Sequence, residues 1–357
     1  MNISATLAEF LGAPNKNKTL PILKKELSKN YKNIVFICFD GLGINPININ
    51  LNKNDILRKN IVKKLVSTFP STTTNATTSL ATNLLPLEHG WLGWSLYFEE
   101  IGRNIDIYLG KDSESGEKVD FDLPLESNIN YYFDNAHTDY EINTIFMPYC
   151  RVVHPERNTY IESEEDLVKA IRAIIKKPGK QFVYAYYDQP DAVMHINGVS
   201  SDQAKQKIES INAQIQKLYD ECADTLFVIT ADHGQIDVTG YVEFYKDKEL
   251  NDMLECCPYL DSRSPCFRVK QGYEEQFAKI FKKRYGKDYA LFKSADLIKK
   301  GYFGSRGDKG FLLGTYIGAG RYNNKQFLSF EGKTRFKGHH TSLTKEMEVP
   351  LILLAKK

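Results

Sequence analysis

The amino-acid sequence predicts an α/β fold in which a mostly parallel central sheet carries helices on both faces. Two observations support this prediction. Apolar runs rich in β-branched and aromatic residues have the composition of buried parallel strands, and segments with helical periodicity separate them, which is the order of an α/β sheet. The predicted strands cover residues 33–39, 181–187, 225–230 and 349–354.

The clearest helical patterns cover residues 163–177 and 201–222. The first of these segments has an acidic first turn and a basic last turn, which the helix dipole favours at the two ends. Both lie between predicted strands. We therefore expect them to be helices that cover the sheet.

Two segments interrupt the alternation of strand and helix. Residues 97–149 are polar and rich in Asn and Asp, and residues 241–337 contain short elements rich in Lys, Tyr and Gly. We predict that both are insertions, the second forming a small cap, within a single α/β domain that spans residues 1–357.

The charge is nearly balanced, with 47 basic and 45 acidic residues and a formal net charge of +2. This excludes a global field that would attract nucleic-acid polymers or anionic membranes, so an anionic substrate must be captured locally. The N-terminus lacks the pattern of a signal peptide, and no window has transmembrane length. We expect a cytoplasmic protein, and the sequence does not predict its oligomeric state.

Side chains with metal-ligand chemistry follow the predicted strands. Asp40 comes directly after the first strand and precedes a Gly-Leu-Gly turn, and Asp232 and His233 follow the strand at 225–230. Such strand ends meet at the carboxyl edge of a parallel sheet, and Asp and His are good ligands for zinc or manganese. A lone Asp before a Gly turn is more often only a turn residue.

Two further groups can reach the same edge. Asp191 and His195 follow the strand at 181–187, and their i, i+4 spacing allows them to face one ion from a single helical turn. His339 and His340 lie in a Gly-containing loop before the last strand. Each pair alone is weak evidence, but together the clusters supply the ligands of two tetrahedral ions with open positions.

A Ser/Thr-rich segment, residues 69–82, predicts a helix N-terminus after Pro70. A hydroxyl group at this position benefits from free backbone N–H groups and from the helix dipole, which favour an alkoxide and a phosphate oxygen. By sequence chemistry alone, capping by Ser71 or Thr72 is the favoured role for any one hydroxyl. These residues therefore do not select a nucleophile by themselves.

The order of these pieces resembles the nucleotide pyrophosphatase/phosphodiesterase branch of the alkaline phosphatase superfamily. That family has a strand-end Asp, a Thr nucleophile, a TG-x-x-P-x-x-HG segment, a D-x-x-x-H pair, a DHG triplet and a late G-x-H. The matching positions are Asp40, Thr73, residues 82–90, Asp191 with His195, residues 232–234 and residues 338–340. The match spans nearly the whole chain and implies an alkaline phosphatase-like fold.

The resemblance implies a phosphodiesterase or nucleotide pyrophosphatase that acts through a phospho-Thr intermediate. The family's spacing from the nucleophile to the HG histidine, laid on His89, selects Thr73, with Thr68 and Thr72 as second choices. It implies two divalent ions, with zinc as the default and manganese as the other candidate. One ion would be held by Asp40, Asp232, His233 and the Thr73 oxygen, and the other by Asp191, His195 and His340, with His339 as the alternative to His340.

The substrate expected from the resemblance is a small-molecule phosphate ester or a nucleotide. Asn75 is the candidate donor to a phosphate oxygen, and Trp94 stands where the family often places an Asn with that role. Trp91, Trp94, Tyr97 and Phe98 could stack a flat leaving group, although core packing explains them equally well. The alternatives are a phosphomonoesterase, a phosphonoacetate hydrolase, a metal-dependent mutase and a catalytically silent nucleotide-binding protein.

Overall fold

The computed structural model of the protein describes residues 2–121, 130–150 and 152–357. Its helices are α1 (Asn2–Phe10), α2 (Pro21–Leu27), α3 (Ile44–Asn50), α4 (Ile56–Lys59), α5 (Thr73–Thr82), α6 (Pro86–His89), α7 (Glu164–Ile175), α8 (Asp191–Asn197), α9 (Asp202–Glu221), α10 (Lys248–Asn251), α11 (Glu274–Tyr285) and α12 (Ser294–Lys299). Short 3-10 helices cover Tyr132–Asn135, Pro155–Arg157, Phe244–Lys246, Lys309–Leu312 and Lys345–Met347.

The strands are β1 (Asn33–Phe39), β2 (Ile61–Val66), β3 (Ser95–Phe98), β4 (Arg103–Asp106), β5 (Lys111–Asp112), β6 (Tyr140–Phe146), β7 (Asn158–Tyr160), β8 (Lys180–Tyr187), β9 (Thr225–Ala231), β10 (Ile236–Asp237), β11 (Gly240–Glu243), β12 (Tyr259–Asp261), β13 (Ser264–Phe267), β14 (Tyr289–Lys293), β15 (Tyr316–Gly320), β16 (Lys325–Leu328), β17 (Gly338–His339) and β18 (Glu348–Lys356).

The central sheet has the strand order β2-β18-β9-β1-β8-β6-β7. The five strands from β9 to β7 run parallel to their neighbours. The predicted strands at 33–39, 181–187 and 225–230 match β1, β8 and β9 to within one residue at each end. The predicted α/β fold with a mostly parallel sheet is thereby confirmed.

The last predicted strand differs from the prediction in its direction. We predicted a parallel strand at residues 349–354, but β18 is antiparallel to both β9 and β2. The reason is where the chain enters the strand: β18 begins beside Val66 and ends with Lys356 opposite Thr225, the first residue of β9. It therefore starts at the carboxyl edge of the parallel strands and has to run back, which an apolar run does not reveal.

Helices cover both faces of the central sheet. Ile34 and Phe36 of β1 belong to an apolar cluster with residues of α1, α2 and α5. Val35 and Ile37, which point the other way, belong to a second cluster with residues of α3, α7 and α9. Alternate residues of a strand face opposite sides of its sheet, so this strand has an apolar core on each side.

The two predicted helices at 163–177 and 201–222 are α7 and α9. Ser163 and Ser201 are their N-cap residues, and each side chain accepts a hydrogen bond from the backbone N–H three residues later, at 3.1 Å. In α9 the buried residues recur every three or four positions, so one stripe faces the core. They are Ala204, Ile208, Ile211, Ile215 and Leu218.

A second sheet has the order β14-β15-β13-β12-β3-β4-β5. It combines strands from the first part of the predicted insertion 97–149 with strands from the predicted insertion 241–337, and the two parts meet where Leu260 of β12 pairs with Ser95 of β3. The predicted insertion 97–149 also contains β6, which is a strand of the central sheet. Residues 122–129 of this insertion lie outside the described residues.

None of the helices in the described ranges is both long enough and apolar enough to cross a membrane.

Candidate functional site

Three strands of the central sheet end side by side. Phe39, the last residue of β1, is level with Tyr187 of β8 and with Ala231 of β9. Asp40 and Asp232 are the next residues of β1 and β9, and the backbone N–H of Asp191 donates to the carbonyl oxygen of Asp40 at 3.2 Å. The parallel register therefore brings three predicted carboxylates to one edge of the sheet.

Glycine residues allow the turns at this edge to approach each other. A Cβ atom on Gly43 would lie 2.5 Å from the Cα atom of Gly234, which is closer than real Cβ atoms come. Gly41 has a φ of +73°, and a Cβ atom there would lie 3.0 Å from the Asp191 Cβ atom. The turn after β1 therefore needs both glycines to pack against the residues that follow β9 and β8.

Asp40, Thr73, Asp232 and His233 form one cluster, called here the Thr73 group. The Nε2 atom of His233 lies 3.2 Å from Asp40 Oδ1 and 3.4 Å from Asp232 Oδ2. The Thr73 Oγ1 atom lies 3.2 Å from the same nitrogen. Ligands on a tetrahedral ion with bonds of ~2.1 Å are about 3.4 Å apart. The spacing of these four side chains therefore fits one divalent ion.

Asp191, His195 and His340 form a second cluster, called here the Asp191 group. His195 Nε2 lies 3.2 Å from Asp191 Oδ2, and His340 Nε2 lies 3.8 Å from Asp191 Oδ1. The ring of His340 stacks on the ring of His233 with centroids 3.7 Å apart. The two groups are therefore adjacent, and ligand atoms of Asp191, His233 and His340 all lie within 4.8 Å of one another.

The three imidazoles of these groups are oriented through their Nδ1 atoms, each of which contacts a backbone carbonyl oxygen. The pairs are His195 with Gly338 at 2.8 Å, His233 with Gly234 at 3.0 Å and His340 with Ser71 at 2.8 Å. Because a carbonyl oxygen only accepts, each Nδ1 carries a proton, and in the neutral ring Nε2 is then the nitrogen with the lone pair. This is the arrangement in which histidines commonly bind metal ions.

The carboxylates of the Thr73 group have no basic side chain other than the His233 imidazole as an ion-pair partner in the described part of the chain. Asp40 Oδ1 and Asp232 Oδ2 are buried without a hydrogen-bond partner in the described part of the chain. Burial and the neighbouring carboxylates raise the pKa of Asp40 well above its ordinary value, and burial raises the pKa of Asp232 to about 7. Although burial opposes it, Asp40 raises the pKa of His233. All three shifts indicate a place where positive charge is favoured.

The Asp191 group is partly balanced by its own residues. Although burial opposes both shifts, the contact between Asp191 and His195 lowers the pKa of Asp191 and raises the pKa of His195. Burial, together with the neighbouring imidazoles, lowers the pKa of His340 well below its ordinary value. A neutral imidazole is the form that binds a metal ion.

The three candidate nucleophiles differ in position. Thr73 is the first residue of α5, and its hydroxyl donates to Asp40 Oδ2 at 3.4 Å. Thr72 is the N-cap residue, but its side chain makes no capping bond and instead donates to Asp261 Oδ2 at 3.2 Å. The Thr68 hydroxyl contacts a backbone carbonyl two residues later. Of these three threonines, Thr73 is the one that the fold brings into the cluster of predicted ligands.

The predicted phosphate contacts are not in either group. Asn75 is fully buried, and its amide donates to the backbone carbonyls of Phe69 and Pro70 at 3.1 Å and 3.2 Å, so it supports the loop before α5. Trp94 is half-buried, and its ring lies 6.4 Å from the ring of Tyr108. These positions give no support to a phosphate contact by Asn75.

Aromatic side chains do stand beside α5, but the set differs from the predicted one. Tyr108 joins Trp91 and Trp94, with its ring 5.3 Å from the ring of Trp91. Its hydroxyl contacts the Thr77 hydroxyl at 2.7 Å, one turn after Thr73. Phe98, which we predicted in this wall, is 1% exposed and packs in the core of the second sheet.

Sequence reasoning missed side chains that complete the site. The Tyr186 hydroxyl donates to Asp40 Oδ2, and the Gln235 amide donates to Asp191 Oδ1. Tyr186 lies near the end of β8 and Gln235 lies two residues after His233, so their position near strand ends was the available signal. Asp261, at the end of β12, lies 3.5 Å from the Nε2 atom of His339. Nothing in its sequence surroundings connects it to a site on the other sheet.

Comparison with protein families gives one matching model, that of type I phosphodiesterase / nucleotide pyrophosphatase, over residues 34–298. This range contains β1, α5, α8 and the turn after β9, and therefore most of both groups. No curated protein sequence matches the chain significantly.

Solved structures share the fold over nearly the whole chain. Murine ectonucleotide pyrophosphatase / phosphodiesterase 5 is 15% identical, with a TM-score of 0.64 over 90% of this chain and 87% of that chain. An inactive form of the murine protein in complex with AMP has a TM-score of 0.62, 15% identity and the same coverage. Phosphonoacetate hydrolase from Sinorhizobium meliloti 1021, in complex with phosphonoformate, is 14% identical, with a TM-score of 0.63 over 90% of each chain.

Proposed function

Because the chain belongs to the type I phosphodiesterase / nucleotide pyrophosphatase family, we propose that it hydrolyses small phosphodiesters or nucleotide pyrophosphates with Thr73 as nucleophile. The family places it among the hydrolases of the alkaline phosphatase superfamily. The observation that carries the proposal is the position of the Thr73 hydroxyl, 3.4 Å from Asp40 Oδ2 and 3.2 Å from His233 Nε2 at the start of α5.

The residues present fit two divalent ions, with zinc as the default. In the Thr73 group, His233 Nε2 lies 3.2 Å from Asp40 Oδ1 and 3.4 Å from Asp232 Oδ2. Two buried carboxylates around one imidazole nitrogen favour positive charge among them, which a divalent ion bound to the neutral imidazole would supply. The Asp191 group offers two imidazole nitrogens and a carboxylate, a common set at catalytic zinc sites. Ions bound there would lower the pKa of a hydroxyl group and stabilise charge on the entering and leaving oxygens.

The start of α5 is suited to binding a phosphoryl group. The first backbone hydrogen bond of the helix runs from the Ala76 N–H to the Thr72 carbonyl. The N–H groups of the preceding helical residues therefore have no partner within the helix. Free N–H groups at a helix N-terminus bind phosphate oxygens. A phosphoryl group bound there would lie beside the Thr73 hydroxyl.

The proposed reaction proceeds in two displacements at phosphorus. In the first, a bond forms between Thr73 Oγ1 and phosphorus, the bond to the leaving alcohol or nucleotide oxygen breaks, and the proton lost by the Thr73 hydroxyl is balanced by one taken up by the leaving group or by solvent. In the second, a water oxygen bonds to phosphorus, the bond to Thr73 Oγ1 breaks, and the proton that the water loses is balanced by the one that restores the Thr73 hydroxyl. Asp40 Oδ2 accepts the hydrogen bond of Thr73 and so holds the side chain in the orientation for attack.

The leaving group would lie near the aromatic side chains beside α5. Trp91, Trp94 and Tyr108 present rings next to the helix that begins with Thr73. Flat rings stack nucleobases and other flat groups. The murine relative bound to AMP is a protein of the same fold with a nucleotide ligand. We therefore propose a small nucleotide or aryl ester as substrate, rather than a nucleic-acid polymer.

The test compares hydrolysis of bis-p-nitrophenyl phosphate and p-nitrophenyl phosphate by the zinc-loaded protein. We expect faster cleavage of the diester, a loss of at least about 10³-fold in kcat in Thr73→Ala, and little change in the matched control Thr68→Ala. Faster cleavage of the monoester would indicate a phosphomonoesterase instead. Undiminished activity of Thr73→Ala would rule out Thr73 as the nucleophile.

A further inference from the structure

Next to the Asp191 group, two side chains outside both groups are arranged like ligands of another ion. We propose that His339 and Asp261 form a third divalent-cation site. The inference rests on the proposed function, because it adds an ion to the two that the Thr73 and Asp191 groups would hold. Asp261 belongs to none of the motifs that predicted those groups, and His339 lies within the late G-x-H match as the alternative to His340.

His339 is a buried imidazole that lacks the partner each other site histidine has. The residue is 4% exposed, and neither Nδ1 nor Nε2 makes a hydrogen bond to any described residue. Its ring is surrounded by the rings of His195, Phe336 and His340, with centroids between 5.1 Å and 5.2 Å away. Buried polar atoms in folded proteins nearly always have a partner, so the ring has a free nitrogen to offer an ion.

Asp261 faces this ring from the second sheet. Its Oδ1 atom accepts from the Ser262 N–H at 2.6 Å, and its Oδ2 atom accepts from the Thr72 hydroxyl at 3.2 Å. Oδ1 also lies 3.5 Å from His339 Nε2 without making a hydrogen bond. This separation is close to the roughly 3.4 Å expected between two ligands of one tetrahedral ion, and it matches the spacing in the Thr73 group.

The alternative is that His339 joins the ion of the Asp191 group as a fourth protein ligand. Its ring nitrogen lies within 4.8 Å of ligand nitrogens of His195 and His340. A fourth protein ligand would close the open position that a catalytic ion keeps for water or substrate. The short contact to Asp261 therefore favours a separate ion, with the remaining positions filled by water or a substrate oxygen.

Two basic side chains, Arg263 and Lys333, lie near the pair. The buried Arg263, in the turn between β12 and β13, is ion-paired to Glu346 at 2.8 Å, with both side chains fully buried. The charge of Arg263 is thus balanced, and Lys333 is the basic residue that a cation at this site would face. An imidazole nitrogen with a carboxylate oxygen suits zinc, manganese or cobalt better than calcium or magnesium.

The experiment counts the ions bound by the full chain. Chelator-treated wild type is titrated with Co²⁺ alone, and bound cobalt per chain is measured by elemental analysis and by visible absorption. We expect three ions in the wild type, two in His339→Asn and two in Asp261→Asn. His154→Asn, which changes a half-buried histidine outside the site, serves as the matched control and should bind three.

Each other count gives a definite answer. Two ions in the wild type and in both variants would overturn the third site and leave the two-ion proposal intact. Two ions in the wild type and one in His339→Asn would make His339 a ligand of the Asp191 group, which also overturns the third site. Fewer than two in the wild type would overturn both proposals. If a variant fails to fold, as judged by circular dichroism, the wild-type count alone decides.

Discussion

Two consecutive tyrosines at the end of β8 hold two buried carboxylates in contrasting surroundings. Tyr186 donates to Asp40 on the side of the sheet that faces α5, and Tyr187 donates to Glu164 on the side that faces α7 and α9. Both carboxylates are less than 7% exposed. Both carboxylates are therefore removed from solvent in the same fold, and their hydrogen-bond partners differ.

Glu164 is compensated by its own chain. Besides Tyr187 at 2.6 Å, it accepts from the Lys207 ammonium on both oxygens at 3.0 Å and from the Ser210 hydroxyl at 2.8 Å. Although burial opposes the shift, these hydrogen bonds lower the pKa of Glu164 to about 2. The network ties β8, α7 and α9 together, which is a structural role.

Asp40 is compensated only in part, because the Tyr186 and Thr73 hydroxyls both donate to its Oδ2 atom. Its Oδ1 atom lacks a hydrogen-bond partner within the described ranges, and Asp232 and Asp191 add negative charge nearby, so its pKa is raised well above the ordinary value. The difference from Glu164 shows how the two kinds of buried carboxylate can be told apart. A carboxylate that the chain satisfies stabilises the fold, and one that it leaves unsatisfied is available to a cation from outside.

The largest expected effect is on activity. Asp40→Asn removes a predicted metal ligand and the acceptor of the Thr73 hydrogen bond, so we expect kcat/KM for the diester to fall by at least about 10³-fold. Glu164→Gln is the matched control, because it neutralises the carboxylate bonded by the neighbouring tyrosine, and its activity per folded molecule should stay near that of the wild type. Equal losses in the two variants would show that Asp40 acts through the fold rather than at the reacting centre.

The next largest effect is on stability, where we expect Glu164→Gln to cost more than Asp40→Asn. In urea unfolding of metal-free protein at neutral pH, Glu164→Gln should lower the free energy of unfolding by about 2 kcal/mol, because Lys207 loses a buried partner. Asp40→Asn should leave it unchanged or raise it by about 1 kcal/mol, because it removes a buried charge that the chain compensates only in part. A marked loss of stability in metal-free Asp40→Asn would show that the Asp40 carboxylate stabilises the fold as that of Glu164 does.

The features of the site that depend on local sequence could be predicted, and those that depend on tertiary contacts could not. The parallel strands and the strand-end positions of Asp40, Asp232 and Asp191 could be predicted, because apolar runs and local spacing determine them. The direction of β18 could not, since an apolar run carries no information on strand direction. The position of Asp261 could not be predicted either, because a strand of the second sheet brings it to the site through tertiary contacts with Thr72 and His339.

Asn75 and Tyr108 illustrate the limit for side chains. Asn75 is the third residue of α5, and Tyr108 lies beside the same helix through its contact with Thr77. Sequence proximity suggested Asn75, yet its amide is used by the backbone of the preceding loop. Tyr108 comes from a segment that we predicted as an insertion, and its contact with Thr77 depends on tertiary packing. Neither outcome is determined by local pattern.

The smallest and most specific effect is on the pH dependence of stability in the metal-free protein. For a carboxyl group whose pKa is lowered on folding, stability is present above the unfolded pKa and is lost as pH falls through the folded pKa. The difference in free energy of unfolding between wild type and Glu164→Gln should therefore have its largest value above about pH 4.3, the ordinary Glu pKa. It should decrease as the pH falls towards the folded pKa of about 2.

For Asp40, whose pKa is raised on folding, the sign is reversed. Above about pH 3.9, the ordinary Asp pKa, the wild type should lose stability relative to Asp40→Asn until the pH reaches the folded pKa. Urea unfolding of each variant beside the wild type from pH 3 to pH 8 measures both differences. If the two differences changed with pH in the same direction, the chain would have to stabilise the Asp40 carboxylate as it stabilises that of Glu164. That result would contradict the proposal that Asp40 is available to bind a cation.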